Sequence, residues 1–145
     1  MTKREVDRAP AYPLTRVALI GLGGAADRIL LPALKTLPHV QLVAGSDLDV
    51  ATRERAARRW QIGRIYSDPR TMLAEEQPDV AIVATPPLTH GDLCVLALEH
   101  GCHVFCEKPF MPSVEEADRV IAVAQRAHRA VAVDNQYYQM PIYRT

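Results

Sequence analysis

Val17-Ala18-Leu19-Ile20-Gly21-Leu22-Gly23-Gly24-Ala25-Ala26-Asp27-Arg28 is an apolar run that ends on a glycine turn and opens into a helix. Four consecutive apolar residues, Val17 to Ile20, suit a central parallel strand buried on both faces. Gly21 permits the tight turn, and Gly23 lets the backbone come close to a ligand. The helix that begins near Gly24 points unpaired N–H groups and its positive dipole end at that turn, which favours a phosphate. Ala26 stands where the G-x-G-x-x-G spacing has its third glycine. That position packs helix on strand, and alanine is small enough to serve. Gly21, Gly23, Gly24, Ala25 and Ala26 are therefore candidate contacts for the pyrophosphate of a dinucleotide. A glycine turn alone is equally compatible with a purely structural role.

A second apolar run, Val40 to Ser46, ends at Asp47. This acid lies about 26 residues beyond Gly21, near the spacing at which a carboxylate meets the ribose of an adenosine. Its two oxygens can accept from the 2′- and 3′-hydroxyls, and its charge repels a 2′-phosphate. NAD is thus the expected cofactor. NADP stays possible because Arg53 is close in sequence, at an expected distance of one helical turn or more. The other reading of Asp47 is a cap for the next helix. Asp49 can take that role and leave Asp47 available.

Strand and helix signals alternate along the whole chain. Strands are expected at 16–20, 40–46, 64–66, 80–84, 103–106 and 131–133. Helices are expected at 24–37, where Pro32 kinks the helix or starts a second turn of it, and at 50–60, 70–76, 89–100 and 114–128. Ser67 or Asp68 caps the third helix, Thr89 the fourth, and Ser113 with Glu116 forms a capping-box pattern for the fifth. Such alternation implies an α/β, doubly wound parallel sheet with right-handed crossovers. With the dinucleotide turn after strand one, the Rossmann order 3-2-1-4-5-6 follows, and ligands bind outside the carboxyl ends of the strands. The loops that matter are then 21–26, Asp47, 85–90 and 107–109.

The 145 residues make about one domain, divided here into a loose leader at 1–15, a Rossmann domain at 16–134 and a short tail at 135–145. Hydrophobic residues are 48% of the chain, enough for a core, and the formal net charge is zero, which argues against a nucleic-acid surface. Arg53, Arg55, Arg58 and Arg59 fall with Glu54 on one predicted helix and read as its solvated face. No apolar stretch has membrane-spanning length, about 20 residues, and the polar leader has no signal-peptide core. A cytoplasmic protein is the default expectation. Cys94, Cys102 and Cys106 have neither zinc spacing nor disulfide geometry and read as buried thiols. No metal-ligating His pair occurs.

In Thr85-Pro86-Pro87-Leu88-Thr89-His90 the prolines stiffen a loop over which the middle of a cofactor would pass. Thr85, Pro86, Leu88 and His90 are candidate contacts; a rigid strand-to-helix turn is the alternative for the loop, and a structural histidine the equal alternative for His90. Glu107-Lys108-Pro109 places a carboxylate and an ammonium at the end of a buried strand. An ammonium there can orient a substrate hydroxyl, stabilise an alkoxide or shuttle a proton.

Together these segments, with Leu31-Pro32-Ala33-Leu34 and Cys106-Glu107-Lys108-Pro109, resemble the N-terminal domain of the glucose–fructose oxidoreductase, inositol dehydrogenase and rhizopine-catabolism (Gfo/Idh/MocA) family. The resemblance runs from Val17 to Tyr143. It implies a Rossmann domain that binds NAD or NADP and hydride transfer at a sugar or polyol hydroxyl carbon. It makes Lys108 the catalytic lysine, Glu107 and Pro109 its neighbours in the cofactor loop, and the Lys108–Pro109 bond a candidate cis peptide. It places Asn135 and Tyr137 where the family chain crosses to a second domain. Leu30 stands where many members have histidine. Members continue into an α/β domain that completes the substrate site and usually the dimer interface. This chain stops in the crossover. The expectations are a fragment without turnover and a monomer or weak oligomer. The alternatives are a non-catalytic dinucleotide-binding module and, more distantly, another Rossmann enzyme such as a methyltransferase, in which Glu107-Lys108-Pro109 has no role.

Overall fold

A computed structural model of the protein describes residues 13–139. The strands are β1 (Thr15–Ile20), β2 (Val40–Ser46), β3 (Ile65–Tyr66), β4 (Val80–Val83), β5 (His103–Cys106) and β6 (Val131–Val133). All pair in parallel in one sheet of order β3-β2-β1-β4-β5-β6, the order expected from the glycine turn after β1. The helices are α1 (Leu31–Leu34), α2 (Val50–Trp60), α3 (Pro69–Glu76), α4 (His90–Glu99) and α5 (Val114–Ala127).

Successive residues of β1 point to opposite faces, so one strand feeds two cores. Leu19 packs with Leu22, Ala26, Leu30, Leu31 and Ala56 on one face. Ile20 packs with Ala44, Met72, Val83, Leu98 and Val120 on the other. Each large side chain buried in this way contributes about 1.5–3 kcal/mol. Burial on both faces is why β1 and β4 read as continuous apolar runs rather than alternating ones.

The first helix departs from expectation. It contains a π turn, Ala26–Leu30, in which the Leu31 N–H donates to Ala26 O, five residues back. The regular α1 then ends at Leu34 instead of Leu37. Pro32 follows at once. It lacks an N–H and its ring crowds the carbonyl four residues before it; the widened turn relieves that crowding, and Pro32 lies in the first turn of a new segment, the second of the two expected outcomes. Gln136–Gln139 form a 3-10 turn where no element was expected.

The capping predictions divide. Asp49 accepts from Thr52 N–H at 2.7 Å, and Asp68 accepts from the N–H groups of Arg70 and Thr71. Ser113 accepts from Glu116 N–H at 3.3 Å, but the Glu116 carboxylate turns to Arg119 rather than back to the Ser113 backbone. Thr89 makes no side-chain cap. Its hydroxyl is shared between Thr85 Oγ1 and Pro86 O, at 2.7 and 2.8 Å, and a 3-10 turn, Pro87–Thr89, precedes α4.

All three cysteines are buried and free. The hydrogen bond between Cys94 and Cys106, together with burial, pushes the Cys94 thiol well up. Burial pushes Cys102 up to about 11. Cys94 and Cys102 thus stay protonated, and all three cysteines are the buried thiols that the sequence suggested. At the sheet edge, buried Glu76 accepts from Tyr66 Oη at 2.6 Å and pairs with Arg64 and Arg16. The bond to Glu76 and burial push the Tyr66 phenol up to about 12. No helix among the described residues is long and apolar enough to cross a membrane. The 1–15 leader and the 135–145 tail lie mostly outside the described residues.

Candidate dinucleotide site

One row of hydrogen bonds aligns the carboxyl ends of the strands. Asp47 N–H donates to Tyr66 O at 3.2 Å, Gly21 N–H to Ser46 O at 2.8 Å, and Ala84 N–H to Ile20 O at 2.8 Å. Glu107 N–H continues the row to Val83 O at 2.9 Å, and Asp134 N–H to Cys106 O at 2.8 Å. The first residue after each strand is thereby held beside its neighbour. Strands lie about 4.8 Å apart, so Asp47 and Glu107, three strands apart, are separated by about 14 Å.

A cleft of 530 Å³ opens along this edge, lined in part by Gly21, Gly23, Asp47, Leu48, Thr85 and Leu88. Gly21 has φ +92°, and a Cβ there would lie 2.7 Å from Ala84 O. Glycine is thus required by β4 itself. Gly23 is different: a Cβ would meet nothing within 4 Å, so the space above it is free for a ligand. At Gly24 a Cβ would lie 2.9 Å from an Nη of Arg28, which places that guanidinium over the helix start. Ala26 is fully buried against the sheet, the packing role that its place in the motif demands. Open space at Gly23, helix N–H groups and a nearby guanidinium fit a pyrophosphate.

Asp47 leans onto the glycine turn. Its Oδ2 accepts from Leu22 N–H at 2.9 Å and its Oδ1 from Asp49 N–H at 2.9 Å. Each oxygen retains a lone pair for a ribose hydroxyl. Arg53 is nearer than expected. Its Nη1 donates to Asp47 O at 2.7 Å and to Leu48 O at 2.8 Å, because the long side chain reaches back past the first turn of α2. Arg59 is also not simply solvated: it pairs with Asp27 at 2.9 Å, beside the Trp60 indole bond to the same carboxylate at 2.7 Å. Arg55 and Arg58 are exposed as expected of that helix, Arg58 pairing with Glu54 at 3.6 Å.

His90 is 1% exposed and does not line the cleft. One ring nitrogen lies 2.8 Å from Thr85 O, and the other lies 3.0 and 3.2 Å from the carbonyls of Pro109 and Phe110. It ties the loop after β4 to the loop after β5. In the latter, Glu107 is buried and accepts from Lys108 N–H at 3.1 Å. The Lys108–Pro109 peptide is cis. Lys108 is exposed, and its ammonium has no ion-pair partner among the described residues. Tyr137 lies in the final 3-10 turn and is half-exposed. Two residues of the site escaped the sequence reading. One is Arg28, which stood within the quoted motif. The other is Ser46, whose buried Oγ has no partner among the described residues.

Comparisons with known proteins agree with this fold. The family model described as an oxidoreductase family with an NAD-binding Rossmann fold matches residues 15–135. The chain is 34% identical over 119 residues to D-glucoside 3-dehydrogenase of Escherichia coli K12, covering 82% of this chain and 34% of that protein. Among solved structures, the WlbA dehydrogenase of Chromobacterium violaceum, in complex with NADH and UDP-GlcNAcA, superposes with TM-score 0.87 at 27% identity. That match covers 92% of this chain and 39% of the other. KijD10, a 3-ketoreductase of Actinomadura kijaniata in complex with TDP-benzene and NADP, superposes with TM-score 0.83 at 26% identity, covering 92% and 42%. The chain spans about a third of the length of the curated relatives it matches.

Proposed function

The chain belongs to the Gfo/Idh/MocA oxidoreductase family as its NAD-binding Rossmann domain, and from that premise we propose that it holds NAD in preference to NADP for hydride transfer at a sugar or polyol hydroxyl carbon. The observation that carries the cofactor preference is the Asp47 carboxylate, fixed on the glycine turn by Leu22 and Asp49 N–H groups with capacity left for a ribose. The Arg53 guanidinium, the cation that kept NADP open, turns its Nη1 to the Asp47 and Leu48 carbonyls.

Bound here, a nicotinamide dinucleotide supplies the hydride donor or acceptor. Gly23, Gly24, Ala25 and the Arg28 guanidinium hold its pyrophosphate, while Thr85, Pro86 and Leu88 flank its path. At the other end of the row, Lys108 projects from a loop fixed by Glu107 and His90. As the neutral amine its side chain would take the proton of the substrate hydroxyl, and as the ammonium so formed it would pass that proton on. The reading takes the chain to be part of a larger dehydrogenase, in which further residues enclose the substrate and exclude water.

Calorimetric titration tests the preference. The protein is expected to bind NADH at least about tenfold more tightly than NADPH. Asp47→Asn is the informative variant, because it removes the charge and keeps an acceptor for one of the two N–H groups, where alanine would release both. The loss of charge is worth about 1.5–3 kcal/mol for charge-assisted bonds. NADH affinity should fall and NADPH affinity hold or rise. Equal losses for both would overturn Asp47 as the ribose reader.

A further inference from the structure

Resting on that reading of the cleft, we infer that the Ser46 hydroxyl is a specificity contact for the adenosine half of the cofactor. Ser46 ends β2, directly before Asp47, and is 1% exposed. Its carbonyl is used, accepting from Gly21 N–H at 2.8 Å. Its Oγ is not: among the described residues it is the one buried side-chain polar atom without a partner. Ser46 nonetheless forms part of the cleft wall, with Ile20, Asp47 and Leu48.

An unpaired buried hydroxyl opposes folding. Alanine would occupy the same place without that cost, as Ala44 does two residues earlier in the same strand. A polar atom retained against that cost at the wall of a ligand cleft points to a bond made only when the ligand arrives. Serine reaches it by rotation about χ1 between staggered wells. A hydroxyl both donates and accepts, so it can meet an adenine ring nitrogen or a ribose oxygen.

Its place in the row selects the adenosine half. Ser46 lies on the β2 side of the glycine turn, beside Asp47 and Leu48 and on the side of Pro69. Lys108 follows β5, which is three strands away. The pyrophosphate has its own donors at the start of the helix.

The test is titration of the whole chain and its Ser46→Ala variant with NADH and with ADP-ribose, together with thermal melting of both proteins without ligand. Ser46→Ala is expected to weaken NADH and ADP-ribose by the same factor, about fivefold for one neutral hydrogen bond. The melting temperature without ligand should hold or rise by about 3 °C. Unchanged NADH affinity would overturn the assignment. A loss confined to NADH would overturn the adenosine assignment in favour of the nicotinamide half. A lowered melting temperature with parallel affinity loss would make the hydroxyl structural. If the unaltered chain bound neither NADH nor NADPH, the dinucleotide reading itself would fall, and this inference with it.

Discussion

Gly21→Ala is expected to destabilise the protein by about 3 kcal/mol, while Gly23→Ala, two residues on, should change stability by less than about 0.5 kcal/mol. The difference comes from what surrounds each Cα. At Gly21 the backbone is at φ +92°, and the new methyl would meet Ala84 O at 2.7 Å and Ala84 C at 2.8 Å. A left-handed alanine costs about 1–2 kcal/mol, and forcing a methyl group against the backbone of a central strand adds about 1–3 kcal/mol. At Gly23 the methyl meets nothing within 4 Å. Its effect should fall on the ligand instead, with NADH affinity down about tenfold or more where the pyrophosphate would have lain. Urea unfolding and calorimetry on both variants separate the two roles. A Gly21→Ala loss below about 1 kcal/mol would mean that β4 yields more easily than the sheet register implies.

His90→Leu should be the other severe substitution, costing about 3 kcal/mol. The leucine fills a similar volume but offers nothing to Thr85 O, Pro109 O and Phe110 O, which face the ring at 2.8, 3.0 and 3.2 Å. The ring donates from whichever nitrogen carries the proton, and leaving that part-buried acceptor without its partner costs about 1–3 kcal/mol, less whatever water recovers and in addition to the lost packing. The consequence reaches function because both loops belong to the site. Amide exchange at 107–111 and at Thr85 should accelerate, and NADH affinity should fall although His90 lies outside the cleft. Protection at those amides equal to that of the unaltered protein would show that the loops hold themselves.

The sheet order, the spans of β2 and α2, and the Asp49 and Asp68 caps were legible because local chemistry determines them. Buried parallel strands are continuously apolar, and a short acid before a helix has few other uses. What escaped was set by distant partners. Ser46 reads as an ordinary strand end until β1 and the cleft wall are placed around it. His90 was grouped with the cofactor contacts because it sits in the right loop, whereas its partners come from 19 and 20 residues further along the chain. Arg53 and Arg59 looked solvated because helical spacing gives the origin of a long side chain and not its end. Thr89 has the composition of a cap, but the Thr85 hydroxyl competes for it. The π turn was unreadable because its cause, Pro32, more commonly bends a helix.

That π turn changes the phase of the helix. In a regular α-helix consecutive residues point about 100° apart, yet Leu30 and Leu31 are both buried, at 6% and 2% exposure. The extra residue in the turn works like a gear tooth. The segment before it starts at the glycine turn with Ala26 buried, and the segment after it is rotated so that Leu31 is buried as well. The two ends of one helix can therefore each meet its own surface in its own phase.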